Sequence, residues 1–157
     1  MAMSQSILAA ELDVEIQNTE TLAEAINAWA AAWKTYFTDA ESNSVPILTP
    51  ILDTAEAAMA VAMPSLGVDA GAALTSGVTA WWATLVASPP LTFTACTAIT
   101  PPAGLAGIAA ALTPVFISNR DGELSKADAL NAIASALHPL NLGGTATFPG
   151  PIVAPIL

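Results

Sequence analysis

Positive charge is nearly absent from this chain of 157 residues. Lys34, Arg120 and Lys126 are the only lysine or arginine side chains, against 13 aspartates and glutamates, for a formal net charge of −10. Such a chain repels phosphate backbones and anionic bilayer surfaces, which argues against direct nucleic-acid binding and against a membrane role. Charge of either sign is scarce, at 10% of residues where about 25% is usual. The acids cluster between Glu11 and Asp69, and no residue from Ala70 to Asn119 is charged. There is one cysteine, Cys96, so no internal disulfide can form. Its place in the apolar run Leu91–Ile99 fits a small buried hydrophobe in a reducing compartment.

Reactive constellations are missing too. The single histidine, His138, is far in sequence from Cys96, so no thiol–imidazole pair is signalled. Glu11, Asp13 and Glu15 read as a solvated run, not as a paired acid–base site. Asn119, Asp121 and Glu123 alternate oxygens around a turn. A calcium loop needs an acidic ligand before such residues and a bidentate Glu well after them, and both are missing. The expectation is therefore no enzyme, no metal and no cofactor. His138 is read as the last turn of a helix meeting its dipole.

A membrane span is not expected either. Pro89-Pro90 and Pro101-Pro102 break the uncharged stretch into pieces shorter than the roughly 20 apolar residues a span requires. The first residues, Met1–Glu11, lack the basic start and long apolar core of a signal peptide.

Hydrophobic residues, at 54%, are plentiful and mostly helical in pattern. Thr21 and Glu24 form a capping box, followed by a stripe of Leu22, Ile26, Trp29, Trp33 and Tyr36 or Phe37. A second helix is expected from Thr49 as cap and Pro50 in its first turn, with Ile51, Ala55, Met59, Ala62 and Met63 inward and Pro64 and Gly67 at its end. A third runs from after Asp69 to about Ser88, burying Leu74, Val78, Trp81, Trp82 and Leu85. A fourth follows Pro102 and ends at Pro114, with small residues from Gly104 to Ala111 that allow close helix approach. The fifth is capped by Ser125 and Asp128 and ends at Pro139. Leu12–Ile16 and Leu91–Ile99 alternate like strands. The four tryptophans read as aromatic core, with an apolar ligand pocket as the alternative.

These elements make a mainly α protein, a bundle of about five helices with a short extended segment. The organisation expected is a helical domain with an N-terminal arm over residues 1–139 and an extended arm over 140–157. That arm is uncharged and carries apolar residues between prolines and glycines: Phe148, Pro149, Pro151, Ile152, Val153, Ile156 and Leu157. Disordered tails are normally polar, so these seven residues are the candidate partner-binding set, packed on their own domain or latched to a neighbour.

The run Ala127–Pro139 followed by Thr147-Phe-Pro-Gly-Pro151, in a short acidic helical chain, resembles small virion proteins of tailed bacteriophages, of the neck, tail or baseplate kind. It covers about the last fifth of the chain and carries no defined family motif, so no residue's role is transferred. The resemblance implies a structural protein assembled in the host cytoplasm into the virion, as a ring or an interface between other structural proteins. Its partners would be copies of itself and other virion proteins. The alternative is a soluble helical module that binds a small molecule or a protein.

Overall fold

Residues 3–16, 21–63 and 70–157 are described by the computed structural model. Within them the chain is mainly helical. The first helix, α1 (Gln5–Ile16), replaces the short strand or extended arm expected at Leu12–Ile16. Five alternating residues fit either period. Leu8 and Leu12, four apart, are both buried while Val14 is exposed, so packing against two neighbouring helices settles the choice. In α2 (Leu22–Thr38) the capping box forms in both directions: the Glu24 N–H donates to Thr21 Oγ1 (3.2 Å) and the Thr21 N–H donates to Glu24 Oε2 (2.9 Å). Its buried stripe starts later than expected. Leu22 is exposed and Ile26 only half-buried, whereas Trp29, Trp33, Tyr36 and Phe37 are in the core.

Helix α3 (Thr49–Ala62) begins one residue earlier than expected. Leu48 holds the cap position, and Thr49 is already helical with Pro50 behind it. Ile51, Leu52, Ala55 and Met59 are buried. The stop expected at Pro64 and Gly67 and the start at Asp69 lie outside the described residues. Helix α4 (Ala70–Ala87) buries Leu74, Val78, Trp81, Trp82 and Leu85, as its spacing predicts. Pro89-Pro90 then opens a single turn, α5 (Pro89–Thr92), so only the end of the Leu91–Ile99 run is extended.

A 3-10 turn over Ala103–Gly107 leads into α6 (Ile108–Arg120), which passes through Pro114 where an end was expected. Helix α7 (Lys126–Asn141), capped by Ser125, likewise passes Pro139. In both helices the proline and the residue four positions before it, Ala110 or Ser135, are exposed. Water can therefore take the carbonyl that proline leaves unbonded, which softens the usual penalty.

The six long helices neighbour one another in a closed order, α1–α2–α3–α4–α6–α7 and back to α1. Their centre is aromatic. Phe37 of α2 meets Trp81 (5.1 Å between ring centroids) and Trp82 (5.7 Å, edge-on) of α4. Such pairs contribute beyond the area they bury.

The extended segments gather together. A hairpin joins β1 (Glu41–Ser42) to β2 (Val45–Pro46), with Asn43 (φ 53°) and Ser44 (φ 59°) in the left-handed region that the tightest hairpin turns require. A second, antiparallel sheet has the order β3 (Ala98–Thr100), β4 (Thr145–Phe148), β5 (Ile152–Pro155). The bridge Ser42–Ile156 joins the two, and the bridge Ile47–Phe93 ties the hairpin to the segment that precedes β3. Backbone pairing therefore runs from β3 through β4, β5, β1 and β2 to Phe93, which leads back into β3. The tail is extended from Thr145 onward and folded onto its own body, while residues 140 and 141 finish α7.

Candidate interaction surface

Alternation along β4 and β5 and the turn between them divide the seven candidate tail residues into buried and exposed ones, with Pro149 and Pro151 in the turn and Ile152 exposed at the end of β5 on the face of Phe148 and Ala154. Phe148 and Ile156 point inward with Ala146 and Ala154 and are buried in the common core. Pro149, Pro151, Ile152, Val153 and Leu157 are exposed, Val153 at 63%. The tail is thus half structural and half surface. Its outer face joins that of the sheet in two rows: Ala98, Thr147 and Val153 in one, Thr100, Thr145 and Pro155 in the other. Neither row carries a charge.

The free edge of β5 is blunt. The Ile156 N–H donates to Gly144 O (2.9 Å), and Leu157 exchanges backbone hydrogen bonds with Glu41 on the opposite side. Alternation therefore turns the backbone of Val153 and Pro155 away from β4. Proline has no N–H, so this stretch of edge offers one donor, on Val153. Edges of this kind resist strand addition. A contact here must be made by side chains, not by lengthening the sheet.

The closed helix order sorts the charges. Helices α1, α2 and α3 are consecutive around the bundle and carry six of the 13 acids, Glu11, Asp13, Glu15, Glu24, Asp53 and Glu56. Lys34 bridges Asp53 (2.7 Å) and Glu56 (2.8 Å) there, and hydrogen bonds to these two carboxylates raise its pKa to about 12. Lys126 pairs with Asp13 (2.8 Å), tying α7 to α1. On the other side, α4, α5 and all strands from β3 to β5 present no charged side chain. Four of the nine exposed large hydrophobic residues among the described ones lie on those elements, Val86, Leu91, Ile152 and Val153, whereas Ile117 shares α6 with Arg120 and Leu157 pairs with Glu41. The absence of charge from Ala70 to Asn119 is the sequence signal for this surface. Which of its apolar residues face solvent is visible only in the fold.

Chemistry-bearing groups are few and satisfied internally. The Tyr36 hydroxyl lies 2.7 Å from His138 Nδ1, with the rings edge-on at 5.9 Å. Burial raises the phenol pKa and lowers that of the imidazole, so a neutral hydroxyl meets a neutral ring. His138 stands in the last turn of α7, as its position suggested, and is tied there to Tyr36 of α2. Cys96 is buried, its thiol donates to Ala98 O (3.2 Å), and desolvation raises its pKa, which suppresses the nucleophilic thiolate. Among the described residues no group of three or more His, Cys, Asp or Glu is placed to hold a metal ion. Nor is any helix among them long and apolar enough to cross a membrane.

Two open grooves flank α7. One, of about 210 Å³, lies between Trp29, Phe116 and Ile133, with Lys126 at its rim. The other, of about 280 Å³, lies between α1 and α7 beside Ala9, Asp13 and Asn131. Trp33, Trp81 and Trp82 line neither and are fully buried. Of the four tryptophans, Trp29 lines one of these two grooves.

The chain matches no protein-family model, and no curated protein or solved structure is significantly similar to it.

Proposed function

We propose that this protein is a structural subunit that works by assembly and, given the phage-like character of its last helix and tail, is a virion component of a tailed bacteriophage. It would form a ring or an interface between other structural proteins. The observation that carries this reading is the uncharged surface of α4, α5 and the β3–β4–β5 sheet with its exposed Val86, Leu91, Ile152 and Val153. A lone soluble domain ordinarily breaks such a surface with charge. An obligate interface, by contrast, is apolar like a domain core cut in half. The deciding experiment is the absolute mass of the purified protein by light scattering after size exclusion. A defined oligomer, or solubility only with a co-expressed partner, is the expected result. A monomer that stays soluble at high concentration without a partner would remove the assembly reading.

The groove at Trp29 favours a second reading, a helical module for a small apolar ligand. At about 210 Å³ it is smaller than the roughly 300–1,000 Å³ of most ligand sites. Titration with small aromatic compounds, followed by tryptophan fluorescence and calorimetry, tests it.

A further inference from the structure

We infer that the groove between α2, α6 and α7 is a binding site for a small aromatic carboxylate, with its ring against Trp29, Phe116 and Ile133 and its carboxylate at Lys126. The inference rests on the second reading above, a module for a small apolar ligand, and adds the chemical class of that ligand. The chain builds this groove with a polar end and an apolar end. Lys126, Leu130 and Ile133 follow one another on α7 at spacings of four and three, so they share one face. Phe116 and Asn119, three apart on α6, line the same groove. The turn at Gly122 joins the end of α6 to the start of α7, so Asn119 and Lys126 stand together at the loop end. Trp29, Phe116 and Ile133 supply the apolar remainder.

Charge decides what such a groove accepts. With 13 acids and three cations, the field of the whole chain repels anions. Among the described residues none of those acids lines this groove, whereas one of the three cations does. The neighbouring groove between α1 and α7 has Asp13 in its wall and opposes an acid. The Lys126 ammonium lies 2.8 Å from Asp13 Oδ1, and the two side chains are 52% and 50% exposed. Exposed pairs of this kind contribute little to stability, so a ligand carboxylate competes with Asp13 for the ammonium at small cost. The Asn119 side chain adds amide donors at the same end. Size selects a single ring. A cavity of about 150 Å³ takes up one benzene molecule. This groove holds about 210 Å³, which leaves room for a short acid arm.

The test compares hydrocinnamate with its uncharged amide, hydrocinnamamide, by calorimetry at low salt. The expected result is an acid that binds at least about threefold tighter than the amide, the scale of one exposed charge pair. Lys126→Gln should bring the acid down to the affinity of the amide and leave the amide unchanged. That variant also breaks the pair with Asp13, so Asp13→Asn is its control. It removes the competing carboxylate, keeps the ammonium, and should tighten the acid about twofold. A merely structural role for the pair would move both variants in the same direction and would overturn the assignment. Trp29→Phe should remove the change in tryptophan fluorescence on titration, and a change that persists would place the ligand elsewhere. If Trp29→Phe fails to fold, as judged by circular dichroism, shifts of the Phe116 and Ile133 amide resonances in the wild-type protein locate the ligand instead. Equal binding of acid and amide, or an acid indifferent to Lys126→Gln, would overturn the carboxylate assignment while leaving the apolar-ligand reading standing. Binding of neither compound would overturn both.

Discussion

The indole N–H of Trp82 donates to Asn141 Oδ1 at 2.9 Å, and both residues are buried. Asn141 in turn donates from Nδ2 to Leu137 O (2.8 Å). One amide therefore joins the middle of α4 to the last turn of α7. Asn141→Leu keeps the branched shape with somewhat more bulk and removes the acceptor. We expect it to destabilise the fold by about 1–3 kcal/mol, the penalty of an unpaired buried donor. Urea denaturation followed by tryptophan fluorescence measures it.

Gly144 lies directly against the same indole. A Cβ there would sit 2.4 Å from Trp82 Cη2, the rim of a fully buried ring that has no room to withdraw. Gly144→Ala should lower stability by about 1–3 kcal/mol through overpacking. Gly107, where a Cβ would meet nothing within 4 Å, is the control. Gly107→Ala should be neutral or stabilising by up to about 1 kcal/mol. Thermal melts of the two variants side by side separate the effects.

Acid should weaken the fold through His138. Burial lowers its pKa in the folded protein below the ordinary 6.5. Unfolded chains then bind the proton first as pH falls, so the stability this residue contributes is complete above pH 6.5 and is lost between 6.5 and the lower folded value. The ring keeps some solvent contact, so the loss should be small. His138→Gln should flatten that part of the stability–pH profile. Chemical denaturation at intervals between pH 5 and pH 8, on both proteins, provides the comparison.

The inward and outward halves of the tail should behave differently. Phe148 fills the core, and Phe148→Ala should cost about 3–5 kcal/mol. Val153 faces solvent, so Val153→Ser should change stability by no more than about 0.5 kcal/mol while weakening assembly. Deleting residues 147–157 is correspondingly a poor probe of assembly alone, because it removes Phe148 and Ile156 from the core and strips the pairing from Glu41. Equal losses of stability for the two point variants would contradict the division of the tail into two faces.

Much of the helical layout was legible because local chemistry determines it. Thr21 with Glu24, Ser125 with Asp128, and the spacing of Leu74, Val78, Trp81 and Leu85 mark helices wherever they occur. Errors came where two physical readings were locally degenerate. Leu12–Ile16 satisfies both periods over five residues, and only the burial of Leu8 beneath neighbouring helices chooses between them. Pro114 and Pro139 have the local character of stops, yet each stands on a solvent-facing side where its penalty is small. His138 was placed at the correct helix end, but its partner Tyr36 comes from a distant helix that no local pattern connects to it. The same holds for the tail. Its apolar character was plain, whereas its division into a buried and an exposed face follows from pairing with β3 and β1, segments far away in the chain.

That pairing has a kinetic consequence. Each long helix can begin from contacts within a few residues, whereas the circuit of strands joins three segments widely separated along the chain. The hydrogen bond from Ser42 Oγ to Ala154 O alone spans 112 positions. Loop closure over such distances is slow relative to helix formation. Helical signal should therefore rise first in refolding. The environment of Trp82, completed only when Gly144 and Asn141 arrive, should mature in a later phase. In unfolding the order reverses: the end of the bundle bearing the strands opens first, exposing that indole before the helices are lost.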